Sequence, residues 1–589
     1  MQIETVHIHG FRGIQDAEMR LHDYTLIVGA NNGGKSSILS AICAFYEKDG
    51  FKFNNKHDAP FDKESWDGES WIEITYCLEA DEKLSLKEEY QREDGRLRLR
   101  KIFVSRSTEH KPGFIYFVSE EGVVHENAFY GARNVQSGKI GDVIFIPAVS
   151  KVDEHTKLSG PSVLRDLLSD LLDDVVESSE AFARLDSEFK TFVCRIKSHC
   201  TSEGRSLEDF ESALSSETAS WGCKFELKFS TPRSSEIIKS LTGYEIRETS
   251  SNNEVAPEQC GSGFQRQFIS ALIRVGAEFR PSKIVKKTKD FSPKFSLVLF
   301  EEPEAFLHPP RQSQLADDLR KLASVSGRQV VCTSHSPHFV SKNANDIPSL
   351  VRVRRDRGHV TVWQIDSAMW ERMAEANLAI NEIAEVYPKL KKRLSEDDSA
   401  IEMEAIKHSL WLDPSRSGAF FAEHVLLVEG ASEVGLVNRL IGDGYIRDTT
   451  GGLVVIDTLG KFNIHRFMVL FNAMGISHSV AYDSDAGKDG HAEINSLIRA
   501  TRVQAKWCTN CTDFNNSLEK VLGIGVTGSH RKPQHILYCL DRGRIDDKKL
   551  RAFCAMIQAL LPDVSITEVA TDASSHAVIE SKPMVAELA

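Results

Sequence analysis

Long apolar runs are missing from this 589-residue chain. No stretch approaches the ~20 residues that a membrane-spanning helix needs, so no membrane span is expected. The opening MQIETVHIHG lacks a basic start followed by an apolar core, so no secretory signal is expected either. Cysteines are not clustered: the 11 are scattered as free thiols would be, which argues against a disulfide framework and for a cytoplasmic location. There is no excess of basic residues. The formal charge is −13, so any contact with nucleic acid would rely on local patches against a repulsive global field. Internal repeats and low-complexity segments are also absent. What remains is ordinary for a globular protein, with 41% hydrophobic and 27% charged residues and length for roughly three or four domains.

Two patterns carry chemistry. The first is GANNGGKS at Gly29–Ser36, which fits G-x4-G-K-S between an apolar run, Tyr24–Val28, and a helix-like stretch from Ser37 to Tyr46. Such glycines let backbone N–H groups approach phosphate oxygens, and the helix N-terminus adds positive potential. Gly29, Asn32, Gly34, Lys35, Ser36 and Ser37 are the candidate nucleotide contacts, with Lys35 reaching the β- and γ-phosphates and the Ser36 hydroxyl on Mg²⁺. Further on, SLVLFEEPE (Ser296–Glu304) ends a strand in two glutamates. Glu301 is expected to hold Mg²⁺ and Glu302 to polarise the attacking water. VVCTSHSPH (Val330–His338) ends a second strand near His335, placed to meet the γ-phosphate. GSGFQR (Gly261–Arg266) opens a helix-like run and is a further anion site at Ser262 and Gly263.

The second pattern is acidic. Glu429 and Glu433 follow the apolar run in HVLLVEGASE, and Asp483 and Asp485 follow that in SVAYDSD. Carboxylates gathered at strand ends repel one another unless cations lie between them, and hard oxygen donors suit Mg²⁺ or Mn²⁺. Two such ions about 3.5–4 Å apart can clamp both oxygens of a phosphodiester displacement. Cys508, Cys511, His530 and His535 allow a zinc reading, at a spacing long for a zinc finger.

The periodicities divide the chain. Alternation over residues 1–28 suggests two strands before the loop, and more strand-like runs follow at 70–78, 114–118 and 142–146. From Pro161 the period turns helical: Leu164, Leu167, Leu168, Leu171 and Leu172 make a stripe that either pairs with a second subunit or packs on its own domain. The expected fold is α/β, with domains at 1–158 (first part of the ATPase head), 159–223 (helical insertion), 224–366 (second part of the head), 367–415 (helical connector) and 416–589 (a small parallel α/β domain). Four basic runs, Arg96–Lys101, Lys283–Lys289, Arg352–Arg357 and Lys389–Arg393, are either DNA-facing patches or solvated surface charge.

The order of phosphate loop, GSGFQR, paired glutamates and histidine strand resembles the ATPase heads of the ABC class, although GSGFQR departs from LSGGQ and Glu301 replaces the usual Asp. That likeness implies two heads sandwiching ATP, one offering Lys35 and the other Ser262 and Gly263. The acid set Glu429, Asp483 and Asp485 resembles the Toprim fold. Together, GANNGGKS, EEPEAFLHP, TSHSPHF, FFAEHVLLVEGASE and AYDSD, in that order, resemble the OLD (overcoming lysogenization defect) family of nucleases across nearly the whole chain, with an architecture similar to the Gabija nuclease subunit and to retron-associated OLD nucleases. The resemblance implies an ATP-binding and ATP-hydrolysing, Mg²⁺- or Mn²⁺-dependent DNA endonuclease in anti-phage defence. It implies a homodimer or larger homo-oligomer, with a helicase or a reverse transcriptase and its retron DNA as possible partners. It matches Gly460 and Lys461 to a family turn, Glu519 to a later acidic position and Lys582 to a lysine that stabilises charge on the transferring phosphate. The competing expectation is a nucleotide-switched scaffold that binds nucleic acid without cutting it, for which an incomplete acid set would be the signature.

Overall fold

The computed structural model describes residues 1–562 except 49–50, 131, 137–141, most of 149–179, 203, 220–222, 230–242, 250–251, 280–294, 341–343, most of 392–411, and 486. Lys582, most of the Leu164–Leu172 stripe and the basic run Lys283–Lys289 therefore lie outside the described residues. Helices Glu180–Ser198 and Leu207–Thr218 are described within the insertion.

The first 28 residues hold three strands rather than the two that their alternation suggests: β1 (Gln2–Phe11), β2 (Ile14–Arg20) and β3 (Tyr24–Val28). The reason is a change of partner. β1 and β2 form an antiparallel hairpin, whereas β3 leaves it for a second sheet in which all five of its residues are buried. The hairpin belongs to an antiparallel sheet in the order β2-β1-β4-β5-β6-β7, with β4 at Ser70–Cys77, β5 at Arg96–Val104, β6 at Ile115–Val118 and β7 at Val124–Ala128.

The second sheet runs β12-β11-β3-β10-β9-β8, with β8 at Asp142–Ile146, β9 at Ser296–Glu301, β10 at Arg328–Thr333, β11 at Leu350–Asp356 and β12 at His359–Gln364. β8, β9, β10, β3 and β11 are parallel, and β12 pairs antiparallel at the edge. Period-two alternation splits the side chains of this sheet between two cores. Ile27, Leu297, Leu299 and Val331 pack with the helix Lys35–Tyr46 and the antiparallel sheet. Leu26, Val28, Val298, Phe300 and Val330 face the other way, toward the helix Pro309–Ala323.

The third sheet is parallel, in the order β14-β13-β15-β16, with β13 at His424–Val428, β14 at Leu453–Asp457, β15 at His478–Asp483 and β16 at Cys508–Phe514. Cys508, one of the four zinc candidates, begins β16. Val425, Leu427, Val480 and Tyr482 share one continuous core with the second sheet through the helices Ser367–Val386 and Ile464–Ala473. Leu426, Val428 and Ala481 face a separate core built with helices Ala431–Gly442, Lys532–Asp541 and Asp547–Gln558.

Two of the basic runs are structural. Arg98 and Arg100 pair with Glu73, and Lys101, 1% exposed, donates to the carbonyls of Ala44 and Phe45 at the end of the first helix and to Glu47. A cation there complements the negative end of a helix. Arg352, 2% exposed, donates from β11 to the carbonyls of Phe420 (3.3 Å), Met474 (3.2 Å) and Gly475 (2.7 Å), across to the third sheet's domain. It lies beside Val28, the residue before the phosphate loop. Gly475, at φ +64°, must be glycine: a Cβ would lie 2.3 Å from the Trp363 ring.

Candidate functional site

Two sites form at the C-terminal ends of parallel strands, where open α/β sheets bind their ligands. In the head, β3, β10 and β9 are neighbours, so the phosphate loop, His335 and the Glu301–Glu302 pair are brought to one edge although some 300 residues separate them. The loop needs its glycines. At Gly29 (φ +151°) a Cβ would lie 2.1 Å from the Val353 carbonyl, and at Gly34 (φ +106°) 2.6 Å from Val360. Lys35 is buried, and its ammonium is held by the carbonyls of Gly29 (2.8 Å) and Ala30 (2.9 Å), with His335 Nδ1 at 3.4 Å. Burial brings Lys35 down to about 8, opposed by the charges of Glu302 and Glu304. His335 Nε2 lies 3.1 Å from Glu302 Oε1, and burial, with Lys35 alongside, holds the imidazole below its usual range. Glu302 sits at φ +45°, a strained backbone for a non-glycine residue and a frequent mark of a functional position.

The other head candidates are more scattered. Glu301 Oε2 accepts from the Ala148 N–H at 3.3 Å. Ser36 is exposed and Ser37 half-buried in the first helical turn, and Asn32 accepts from Arg355 at 3.4 Å. Ser262 is exposed at the start of the helix Ser262–Phe279, and Gly263 backs onto the Phe306 carbonyl.

The second site gathers five carboxylates. Glu429 follows β13, and Glu433 lies in the first turn of Ala431–Gly442. Asp483 ends β15, Asp485 follows at φ +50°, and Glu519 lies in the helix Leu518–Leu522 after β16. The Asp483 N–H donates to Glu429 Oε1 (2.9 Å), and Asp483 Oδ1 accepts from the Leu518 N–H (2.8 Å), tying three elements together. Glu433, Asp483 and Glu519 are buried, at 3, 6 and 4% exposure. Burial pushes Glu429 up to about 8 and Glu433 up to about 7, and raises Asp483, against the pull of Lys461 on the first and Lys532 on the other two. Asp485 is held below its ordinary range; burial, the largest influence, would raise it, and Lys488, Lys461 and His491 together outweigh that.

A divalent cation fits the chemistry of this set. The donors are all hard oxygens, and buried carboxylates raised this far lack positive charge. Two ammonium groups bridge several of these acids, and a third, on the exposed Lys488, meets Asp485 alone at 2.6 Å. Lys461 Nζ lies 3.7 Å from Glu429 and 3.4 Å from Asp485; Lys532 Nζ lies 3.3 Å from Asp483, 3.3 Å from Glu519 and 3.7 Å from Glu433. Among the described residues no three His, Cys, Asp or Glu side chains form a ready-made metal cage. Cys511 lies within β16, and His535 Nε2 meets Cys539 Sγ at 3.7 Å.

Residues 1–114 and 109–340 match a family model described as the AAA ATPase domain. Residues 420–485 match the Toprim domain of overcoming-lysogenization-defect-like proteins. The chain belongs to the AAA ATPase domain family and carries an OLD-like Toprim domain. The ATPase match spans more than half of the chain, and the Toprim match contains Glu429, Glu433, Asp483 and Asp485. The chain is 25% identical to the Old nuclease of Escherichia phage P2, over 82% of this chain and 77% of that protein. It is 22% identical to Endonuclease GajA of Bacillus cereus, over 85% of this chain and 79% of that protein. Among solved structures, the SMC head domain from Thermotoga maritima is similar at 13% identity over 62% of this chain and all of that one, with a TM-score of 0.29. No helix among the described residues is long and apolar enough to cross a membrane.

Sequence reasoning gave Lys461 no chemical role, read Arg352 as surface charge, and missed Lys532 and His491. No motif marks Lys532: only the packing of its helix against the third sheet's domain carries its start over the acids. Glu519, in contrast, was legible through the family pattern and lies 3.3 Å from Lys532.

Proposed function

We propose that this protein is an ATP-binding and ATP-hydrolysing, divalent-metal-dependent DNA endonuclease acting in anti-phage defence. The observation that carries the reading is the convergence of Glu429, Glu433, Asp483, Asp485 and Glu519 from separate elements onto the C-terminal edge of one parallel sheet. The relatives named Old nuclease and Endonuclease GajA support it.

These five carboxylates would hold Mg²⁺ or Mn²⁺. When bound, such ions act as Lewis acids toward a phosphodiester and lower the pKa of water. The protein's part is to keep the carboxylates buried and oriented. The Leu518 N–H fixes Asp483, the Asp483 N–H fixes Glu429, and Lys461 and Lys532 restrain the repulsion among the acids. Lys582 is proposed, on the family pattern alone, to offset charge on the transferring phosphate.

In the head, Lys35 would exchange its loop carbonyls for the β- and γ-phosphates. Ser36 and Glu301 would hold Mg²⁺, Glu302 would orient the attacking water, and His335 would meet the γ-phosphate. Gly29, Asn32, Gly34 and Ser37 would line the phosphates. Ser262 and Gly263 would serve the nucleotide of a second copy, which makes a homodimer or larger assembly the working form. The domain division is proposed as head 1–158 and 224–366, insertion 159–223 as a dimerisation arm, connector 367–415 and Toprim domain 416–589.

The test is cleavage of supercoiled plasmid with Mg²⁺ or Mn²⁺, with and without ATP, by the full chain and by Asp483→Ala. Cutting by the parent and none by the variant supports the reading; equal cutting by both refutes it.

A further inference from the structure

The two ammonium groups that bridge the acid cluster are held differently. Lys461 is 3% exposed and lies in a turn tied to the acid strand itself, since the Gly460 N–H donates to the Glu429 carbonyl at 2.9 Å and the Thr458 N–H to the Val428 carbonyl at 2.9 Å. Its backbone cannot leave without breaking the strand end that carries Glu429. Lys532 has a partly exposed side chain, 21%, on the first residue of its helix. It follows a glycine-containing segment, Gly523 to Gly528, that has no regular secondary structure before the short turn Ser529–Arg531. Its ammonium stands against three buried carboxylates from three elements: Glu433, Asp483 and Glu519. One ammonium faces three carboxyl groups, a set of hard oxygen donors with room for the second positive charge that a divalent ion carries.

We propose that Lys532 is an exchangeable internal cation: it keeps Glu433, Asp483 and Glu519 together before metal arrives, and a divalent ion must displace its ammonium to bind them. Lys461 is the fixed counterpart, staying with Glu429 and Asp485. Lys532 is thus a positioning residue that sets the metal threshold of the site. The inference rests on the metal-dependent reading above and deepens it. The flexible four-carbon stem of lysine suits such exchange, because it can swing outward without moving the helix.

The experiment is titration of the full chain, free of nucleotide, with Mn²⁺, following free Mn²⁺ by electron paramagnetic resonance, in the parent, Lys532→Met, Lys532→Arg and Asp483→Asn. Lys532→Met is expected to bind Mn²⁺ about tenfold more tightly at the component that Asp483→Asn removes. Lys532→Arg, which keeps the charge, is expected to stay close to the parent. Thermal melts supply a second readout: Lys532→Met should melt below the parent without metal and recover with saturating Mn²⁺. Unchanged or weaker Mn²⁺ binding in a folded Lys532→Met overturns the exchange while leaving the metal-dependent reading intact. Parent protein with no Mn²⁺ binding sensitive to Asp483→Asn overturns both.

Discussion

The two sites of this chain have the same address and opposite electrostatics. Each lies at the C-terminal edge of a parallel sheet, on the turns that follow buried strands. In the head, a buried lysine is held by two backbone carbonyls, groups that a phosphate can replace. At the edge of the third sheet, five acids outnumber the two lysines that bridge them. The head is built to receive an anion, and the Toprim edge to receive cations. The difference shows that a strand-edge site takes its ligand class from the few side chains at the turns, while the sheet supplies only position.

The sharpest way to separate the two is Asp483→Ala. It is expected to lower plasmid cleavage on the order of 10³-fold, as loss of several kcal/mol of charge stabilisation implies, while ATP hydrolysis stays within about twofold. Plasmid nicking and phosphate release measured on the same preparation check both halves. The mirror variant, Lys35→Ala, should reduce ATP hydrolysis on the order of 10²-fold and leave the Mn²⁺ affinity of the nucleotide-free chain unchanged.

Arg352 tests whether the comparison is between independent regions at all. Its guanidinium holds three carbonyls of the Toprim side from the strand beside the phosphate loop. Arg352→Met leaves those carbonyls unpaired and should cost about 2 kcal/mol, seen as a lower Tm. It should also weaken the effect of ATP on cleavage. An unchanged Tm together with an unchanged ATP effect would show that the two regions work separately.

The smallest expected effect concerns pH. His424 is buried between Ser477 and Ser479, and burial, its main cause, holds the imidazole down to about 3. The folded state therefore refuses a proton that the unfolded chain accepts below about pH 6.5. Stability from this group is full above that pH and is lost as pH falls toward 3. Between pH 6.5 and 5.5 the loss is about 1 kcal/mol, and His424→Asn should remove that part of the slope in urea unfolding curves.

Much of both sites was legible because their residues fall in short, ordered runs. Glycine is required where Val353 and Val360 crowd the phosphate loop, so GANNGGKS is readable as a motif. Glu429 and Asp483 end strands whose apolar runs announce themselves, and Glu433 follows one helical turn later. The three-strand start was misread because period two does not say which sheet a strand will join. The basic runs were ambiguous for a similar reason: Arg352 and Lys101 read as surface charge, yet both are buried against carbonyls that only folding brings near.

By itself the sequence determined the class of ligand at each site, because phosphate loops and strand-end acids are local patterns with local chemistry. The tertiary structure alone decided the counter-charges. Lys461 and Lys532 reach the acids from 24 residues before Asp485 and 49 after Asp483, and Arg352 reaches Gly475 across 123. Such pairings depend on how sheets and helices stack, and no periodicity along the chain records that.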